Sequence, residues 1–95
     1  MIAIVWEKTS LGDRERIFEY LYAFNPLAAD KADAIIESKV ENLIQQPLMG
    51  VEKEGLPGRL LIIPEVSMIV LYFLKENTIH VLRVLHQKQK FPDHN

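Results

Sequence analysis

The sequence predicts a single α+β domain in which a helical hairpin packs on a small, mainly antiparallel β-sheet. One short apolar run opens the chain, two amphipathic stretches follow it, and three apolar runs bounded by turn residues fill the second half. This gives the element order β-α-α-β-β-β and favours helices on one face of a sheet. With 95 residues, of which 48% are hydrophobic, the chain has the material for one core, so we expect residues 1–95 to form one domain.

The first strand and the first helix are predicted from periodicity. Residues 2–6 form a β-rich apolar run that ends at Glu7. The stretch 13–24 carries an apolar face at helical spacing, made by Ile17, Phe18, Leu21 and Phe24. Ser10, three residues before Asp13, is expected to cap this helix.

A second, longer helix is predicted over residues 27–46. Asn25 is expected to cap it and Pro26 to occupy its first position, where a missing N–H costs nothing. Its apolar face advances in steps of four residues through Ala28, Ala32, Ile36, Val40 and Ile44, with Ile35 and Leu43 beside them. The short connection predicts that the two helices form an antiparallel hairpin.

The second half of the chain predicts a loop and a three-stranded meander. Residues 47–58 contain two prolines and three glycines and predict a loop with a brief strand near Val51. Residues 60–63, 68–74 and 79–85 are apolar runs that end in turn residues, which is typical of buried strands. The first strand is expected to join this sheet beside the last strands.

Composition excludes several classes of function. Residues 1–58 carry ten acidic and six basic side chains, whereas residues 59–95 carry five basic and three acidic ones. The second half therefore suits an anionic partner better, although it lacks the strong basic stripe of a dedicated nucleic-acid binder. No cysteine is present, which excludes disulfides and thiolate chemistry. The longest apolar stretch, 60–74, is broken by Pro64-Glu65 and is shorter than the ~20 residues of a spanning helix, so a cytoplasmic protein without membrane contact is expected.

Four local features, taken in order, resemble the RelE/ParE superfamily of bacterial type II toxins, and its ParE branch most closely. Trp6 closes the first strand, Pro47 and Gly50 follow the second helix, and the loop ends in Gly58-Arg59-Leu60. The most specific feature is the last strand, residues 79–86, with the sequence IHVLRVLH followed by basic residues. The resemblance covers essentially the whole chain.

The resemblance implies a growth-inhibiting toxin, of the kind associated with plasmid stabilisation, that a cognate antitoxin protein neutralises. Members of the ParE branch inhibit DNA gyrase, whereas members of the RelE branch cut mRNA on the ribosome. Fold alone does not choose between them. We favour a gyrase inhibitor, with a ribosome-dependent mRNA endonuclease and an inactive antitoxin-binding module as the alternatives. A homodimer and a toxin–antitoxin hetero-oligomer both fit this family, and no cofactor is implied.

The candidate catalytic residues, which apply only if the chain is a nuclease, are His86 and Arg83. Metal-independent RNA cleavage needs an acid, a base and a cation at the phosphate, and His86 would be the acid. Strict alternation along a strand places Arg83 and His86 on opposite faces unless a β-bulge intervenes. Ser67-Met68 also stands where RelE-type nucleases often carry tyrosine and arginine, so both features favour the gyrase hypothesis.

For binding the target or RNA, the candidates are Arg59, Lys88, Lys90 and Phe91. In the family, the position of Arg59 suits an anchor for an acidic antitoxin segment, and the other three follow the last strand. His80 is expected to have no chemical role, and Trp6 is expected to pack. We predict no metal site, because His80 and His86 have no carboxylate at ligand spacing.

Overall fold

The computed structural model describes residues 1–88 of the chain. The elements are strand β1 (Ala3–Trp6), helices α1 (Lys8–Phe24) and α2 (Pro26–Glu41), and strands β2 (Val51–Glu52), β3 (Arg59–Ile63), β4 (Met68–Lys75) and β5 (Thr78–His86). A short 3-10 helix, Asn42–Ile44, follows α2, and another, Pro64–Val66, joins β3 to β4. The predicted α+β class and element order are confirmed, including the brief strand at Val51.

The five strands form one mixed sheet in the order β1-β5-β4-β3-β2. From β2 to β5, each strand pairs antiparallel with the next one along the chain, as predicted for a meander. Strand β1 lies at the edge and pairs in parallel with β5, with Ala3 opposite Thr78 and Trp6 opposite Val81. A parallel pair needs a long connection, which the helical hairpin and the meander provide.

Helix α1 begins three residues earlier than a cap at Ser10 predicts. Its N-cap is Glu7, and Ser10 lies inside the first turn, fully buried, where its Oγ donates to the Glu7 carbonyl at 2.7 Å. The predicted Ser10 cap is therefore wrong, because the hydroxyl bonds back to a helical carbonyl instead. Asp13, taken for a residue of the first turn, is a buried residue in the helix interior.

Helix α2 begins as predicted, and its buried face differs at both ends. The Asn25 side chain accepts from the backbone N–H groups of Leu27 at 3.1 Å and Ala28 at 3.3 Å, and Pro26 takes the first position. Steps of four residues drift around a helix that has 3.6 residues per turn. The buried stripe therefore mixes steps of three and four. Ala29 is buried instead of Ala28, and Leu43, predicted beside the apolar face, is buried whereas Ile44 is exposed.

One hydrophobic core lies between the helices and the sheet. Ile36, Val40 and Leu43 from the second helical segment pack with apolar side chains of β3, β4 and β5. Trp6 packs against the edge of this core, and the Arg14 guanidinium lies 4.4 Å from the centre of its indole ring. Arg14 also forms two hydrogen bonds, of 3.0 and 2.8 Å, with the Asp33 carboxylate, so one side chain joins β1, α1 and α2.

Candidate functional site

Arg83 forms an ion pair with a carboxylate that is almost fully buried. Asp13 of α1 is 4% exposed and accepts from Arg83 Nε at 2.8 Å and from Arg83 Nη2 at 3.3 Å. It also accepts from the backbone N–H of Val84 at 2.9 Å and from Arg16 Nη2 at 2.7 Å. The bonds to Asp13 hold the pKa of Arg83 above its ordinary value, against the effect of burial. The Arg83 guanidinium thus links α1 to β5.

A β-bulge in β5 changes which side chains share a face. Leu71 lies opposite Arg83 and Tyr72 lies opposite Val81, so Leu82 has no partner in the ladder. The extra residue shifts the alternation, and Val84 joins Val81 in the core although they are three residues apart. The bulge precedes Arg83, and the pairing from Arg83–Leu71 to His86–Met68 is regular, so Arg83 and His86 lie on opposite faces of β5, as alternation predicts.

Arg83 and His86 line one cavity of about 650 Å³, which we call the α1–β5 cavity. Its other walls come from α1 and from the segment that leads into β4. The apolar lining residues are Ile17, Leu21, Val66, Met68, Val84 and Leu85, and the polar ones, besides Asp13, Arg83 and His86, are Arg16, Tyr20 and Ser67. Cationic and apolar side chains thus face the same space.

The end of β5 is fixed to the turn before β4. His86 lies opposite Met68, and the Gln87 N–H donates to the Ser67 carbonyl at 2.9 Å. His86 Nδ1 accepts from the Lys88 N–H at 3.1 Å, so a neutral imidazole here carries its proton on Nε2. The Lys88 side chain is exposed. Lys90 and Phe91 lie outside the described residues.

Arg59 lies away from this cavity and holds the loop that follows α2. Its Nη1 donates to the carbonyls of Gly50 at 2.8 Å and Leu48 at 3.3 Å, and its Nη2 donates to Glu52 at 3.3 Å. A separate cavity of about 700 Å³ lies beside it, between the β2–β3 loop and Phe73. The structure does not bring Arg59 together with Arg83, His86 and Lys88.

Tyr72 is a functional candidate that the sequence analysis missed. It is fully buried in β4, and its hydroxyl accepts from the Gly50 N–H at 2.9 Å and donates to the Pro47 carbonyl at 2.8 Å. Burial raises the pKa of Tyr72. A Cβ on Gly50 would lie 2.7 Å from the Tyr72 ring, so only glycine permits this approach. A tyrosine within an apolar strand is itself a signal, because a buried hydroxyl needs partners.

The second missed feature is a pair between His80 and Glu7. His80 Nδ1 lies 2.8 Å from Glu7 Oε2, and its ring stacks on Phe73 with centroids 4.7 Å apart. The two partners are 73 residues apart, and only the pairing of β1 with β5 brings them together. No local pattern could have identified this pair.

Helix α1 exposes aromatic side chains on two sides. Tyr20 and Phe24 are 66% and 73% exposed and pack edge to face with centroids 5.1 Å apart. On another side, Phe18 and Tyr22 lie 5.7 Å apart. Phe24, predicted to share the buried face with Ile17 and Leu21, is therefore largely exposed, and Tyr20 connects it to the α1–β5 cavity.

The described part of the chain contains no cluster of metal-binding side chains and no helix that could cross a membrane. Within residues 1–88 there is no group of three or more His, Asp or Glu side chains that could hold a metal ion. Over the same residues, neither helix is long and apolar enough to cross a membrane.

Known proteins match this chain over most of its length. A family model described as "ParE toxin of type II toxin-antitoxin system, parDE" matches residues 4–91. Over 86 residues the chain is 24% identical to Toxin RelE2 of Caulobacter vibrioides. The alignment covers 90% of this chain and 96% of that protein.

A solved structure has the same fold. It is described as the chromosomal ParDE TA system from P. aeruginosa, and the match has a TM-score of 0.79 and 24% identity. The match covers 90% of this chain and 96% of that one.

Proposed function

The chain belongs to the ParE toxin family of type II toxin–antitoxin systems, and from this premise we propose that it arrests bacterial growth by binding DNA gyrase. A cognate antitoxin protein neutralises it by direct association. The action is non-enzymatic, and the toxin works by occupying its target. The relative described as a ParDE system supports the partnership with an antitoxin, since that protein shares the fold over nearly its whole length.

The observation that carries this proposal is that both candidate arginines, Arg83 for catalysis and Arg59 for binding the target or RNA, have internal partners. RNA cleavage without a metal needs a cation free to meet the charge that develops on the phosphate. The guanidinium of Arg83 is bound to Asp13, and that of Arg59 is bound to two loop carbonyls and Glu52. Both arginines therefore support the fold, which favours binding over cleavage.

The end of β5 is the surface that we assign to gyrase. Lys88 is exposed two residues after His86, and Lys90 and Phe91 follow Lys88 within three residues in the sequence. Exposed cations complement an acidic surface on a partner and speed its approach. Arg59 lies at the end of β3 that is farther from His86. We assign it to supporting the loop after α2 rather than to contacting a partner.

A ribosome-dependent mRNA endonuclease is the second candidate, and one observation favours it. Arg83 and His86 both line the α1–β5 cavity, although alternation places them on opposite faces of β5. In this hypothesis Arg83 would have to exchange its bond with Asp13 for one with phosphate.

Induction of the chain in bacteria, combined with two assays, tests the two candidates. We expect growth arrest, inhibition of DNA supercoiling by purified gyrase, and intact mRNA in primer extension. Codon-positioned mRNA cuts that His86→Ala abolishes would overturn the gyrase proposal in favour of the nuclease. Harmless induction would leave only an inactive antitoxin-binding module.

Reversing the charge of Lys88 tests whether the end of β5 contacts gyrase. Lys88→Glu should reduce gyrase inhibition at least tenfold and leave the thermal midpoint unchanged, because this side chain is exposed. Lys75→Glu, an equally exposed reversal at the end of β4, is the matched control and should inhibit like the wild type. Equal inhibition by both variants would remove the end of β5 from the interface.

A further inference from the structure

The outer side of strand β1, which we call the β1 edge, is an apolar sheet edge. Within the described residues β1 pairs only with β5, in a regular register, and ends the sheet on that side. Residues 2–6 contain no charge and no proline, although charge, proline and bulges are what natural proteins use to protect such edges. The opposite edge strand, β2, is protected, since it has only two residues and is followed by Lys53 and Glu54.

The hydrogen bonds between β1 and β5 determine which backbone groups face outward. The Ala3 N–H donates to the Asn77 carbonyl, and the Glu7 N–H donates to the Val81 carbonyl, both at 3.0 Å. Because hydrogen bonding alternates along a strand, the even-numbered residues of this segment direct their backbone groups away from β5. Within residues 1–88, no other backbone group pairs with this outward row. The row consists of Ile2, Ile4 and Trp6.

The side chains of the β1 edge are apolar on both faces of the sheet. Ile2, Ile4 and Trp6 pack against the core and are only partly buried. On the other face, Ala3 is exposed and Val5 is 42% exposed. A core that reaches an open edge is best covered by a second apolar edge, because burial then continues across the junction. A charged strand would find no counter-charge within residues 2–6.

We propose that a second copy of this chain pairs its own β1 antiparallel with this edge, so that two five-stranded sheets join into one. Opposite residues that exchange both hydrogen bonds must both face the partner strand, so even-numbered residues pair with even-numbered ones. The register centred on Ile4 is the one that uses the whole outward row. It places Ile4 opposite Ile4 of the partner subunit, and Ile2 opposite Trp6 of the partner subunit.

The two-fold arrangement explains why a copy of the same chain fits this edge. Each pair of opposite side chains is apolar, and the same patch serves both copies, as an isologous interface requires. Two such short strands bury less surface than the about 1,200–2,000 Å² of a stable interface, so we expect a dimer that dissociates on dilution. The inference is independent of the gyrase proposal, because it uses neither the α1–β5 cavity nor the end of β5.

Amide hydrogen exchange of the full chain, followed by NMR over a hundredfold range of protein concentration, tests the pairing. The Ile4 and Trp6 amides should exchange at least tenfold more slowly at the highest concentration, because the partner strand then occupies them. The Val5 amide is the matched control. Alternation directs it toward β5, so its exchange rate should stay within twofold.

Cysteine cross-linking tests the register, and the chain has no cysteine of its own. The proposed register places Ala3 opposite Val5 of the partner subunit, with Cα atoms about 4.5 Å apart and within disulfide range. A mixture of Ala3→Cys and Val5→Cys proteins should therefore form a disulfide-linked heterodimer on mild oxidation. Each variant alone should cross-link at least tenfold more slowly, because diagonal positions lie about 7–8 Å apart. Ile62→Cys, at a position 49% exposed on β3, replaces Ala3→Cys in the control mixture, which should also be slow.

Separate results would overturn each part of the inference. Exchange of the Ile4 amide at one rate across all concentrations would show that no second copy covers the edge. Protection that appears only after the cognate antitoxin is added would assign the edge to a strand of the antitoxin. Cross-linking of the Ala3–Val5 mixture no faster than that of the Ile62 control mixture would exclude the proposed register.

Discussion

At the scale of single residues, Asp13 determines how α1 meets β5. Its carboxylate accepts hydrogen bonds from two arginines and from the backbone of the bulged strand. A buried carboxylate with this many donors contributes to stability only while every donor is in place. The residue that the sequence offers as a phosphate-binding cation, Arg83, is thereby the partner of a residue that supports the fold.

The first prediction concerns this carboxylate. Asp13→Asn removes the charge that holds both guanidinium groups and places an amide N–H against the donors, so we expect unfolding to become easier by about 3 kcal/mol. Urea denaturation followed by circular dichroism measures the change. Asp30→Asn, at an exposed position of α2, should stay within about 0.5 kcal/mol of the wild type. An unchanged urea midpoint in Asp13→Asn would show that the ion pair contributes nothing.

The second prediction uses the hydroxyl of Tyr72. Because burial raises its pKa in the folded state, the stability that the neutral hydroxyl supplies is fully present below the ordinary value of about 10. This stability is lost as the pH rises through the raised pKa. Stability measured across this alkaline range should fall in the wild type and fall less steeply in Tyr72→Phe, which should already be about 1–3 kcal/mol less stable at neutral pH. Parallel curves for the two proteins would contradict the assignment.

At the scale of elements, the sequence predicts what depends on neighbours in the chain. The strands, the α2 cap at Asn25 and the helical hairpin follow from local periodicity and turn residues, and the structure confirms them. The bulge at Leu82 could not be predicted, because it is a property of the pairing between β4 and β5. The same limit applies to the Asp13–Arg83 pair, whose partners are 70 residues apart. The α1–β5 cavity was therefore hidden even though Arg83 and His86 were both chosen.

The third prediction tests the start of α2. Asn25→Ala removes the side-chain oxygen that accepts from two backbone N–H groups, and we expect a loss of about 1 kcal/mol. Asn25→Asp keeps an acceptor in place and should recover most of this loss. Thermal unfolding of the three proteins gives the comparison, and an alanine variant as stable as the aspartate variant would show that the cap is dispensable.

At the scale of the whole molecule, the α1–β5 cavity and the surface that we propose for gyrase lie side by side. His86 lines the α1–β5 cavity, and Lys88, assigned to gyrase, follows it by two residues. A segment that fills the cavity therefore borders the gyrase surface directly. Neutralisation would then result from steric exclusion and would need no change in the fold of the toxin.

The fourth prediction follows from this proximity. The cognate antitoxin should restore DNA supercoiling by gyrase at concentrations that follow its own dissociation constant for the toxin. Supercoiling assays with increasing antitoxin measure this. A stable ternary complex of toxin, antitoxin and gyrase in sedimentation analysis would show that the two surfaces are independent.

The parallel pairing of β1 with β5 also determines the order in which parts of the sheet can form during synthesis. Ala3 is made some 75 residues before its partner Thr78. Contacts between such distant parts of a chain form late, because a long loop must close before any bond repays its cost in entropy. The surface that we propose for gyrase therefore forms only after β5 has been synthesised and has paired with β1. On our proposal, an antitoxin already present can capture that surface as soon as it forms.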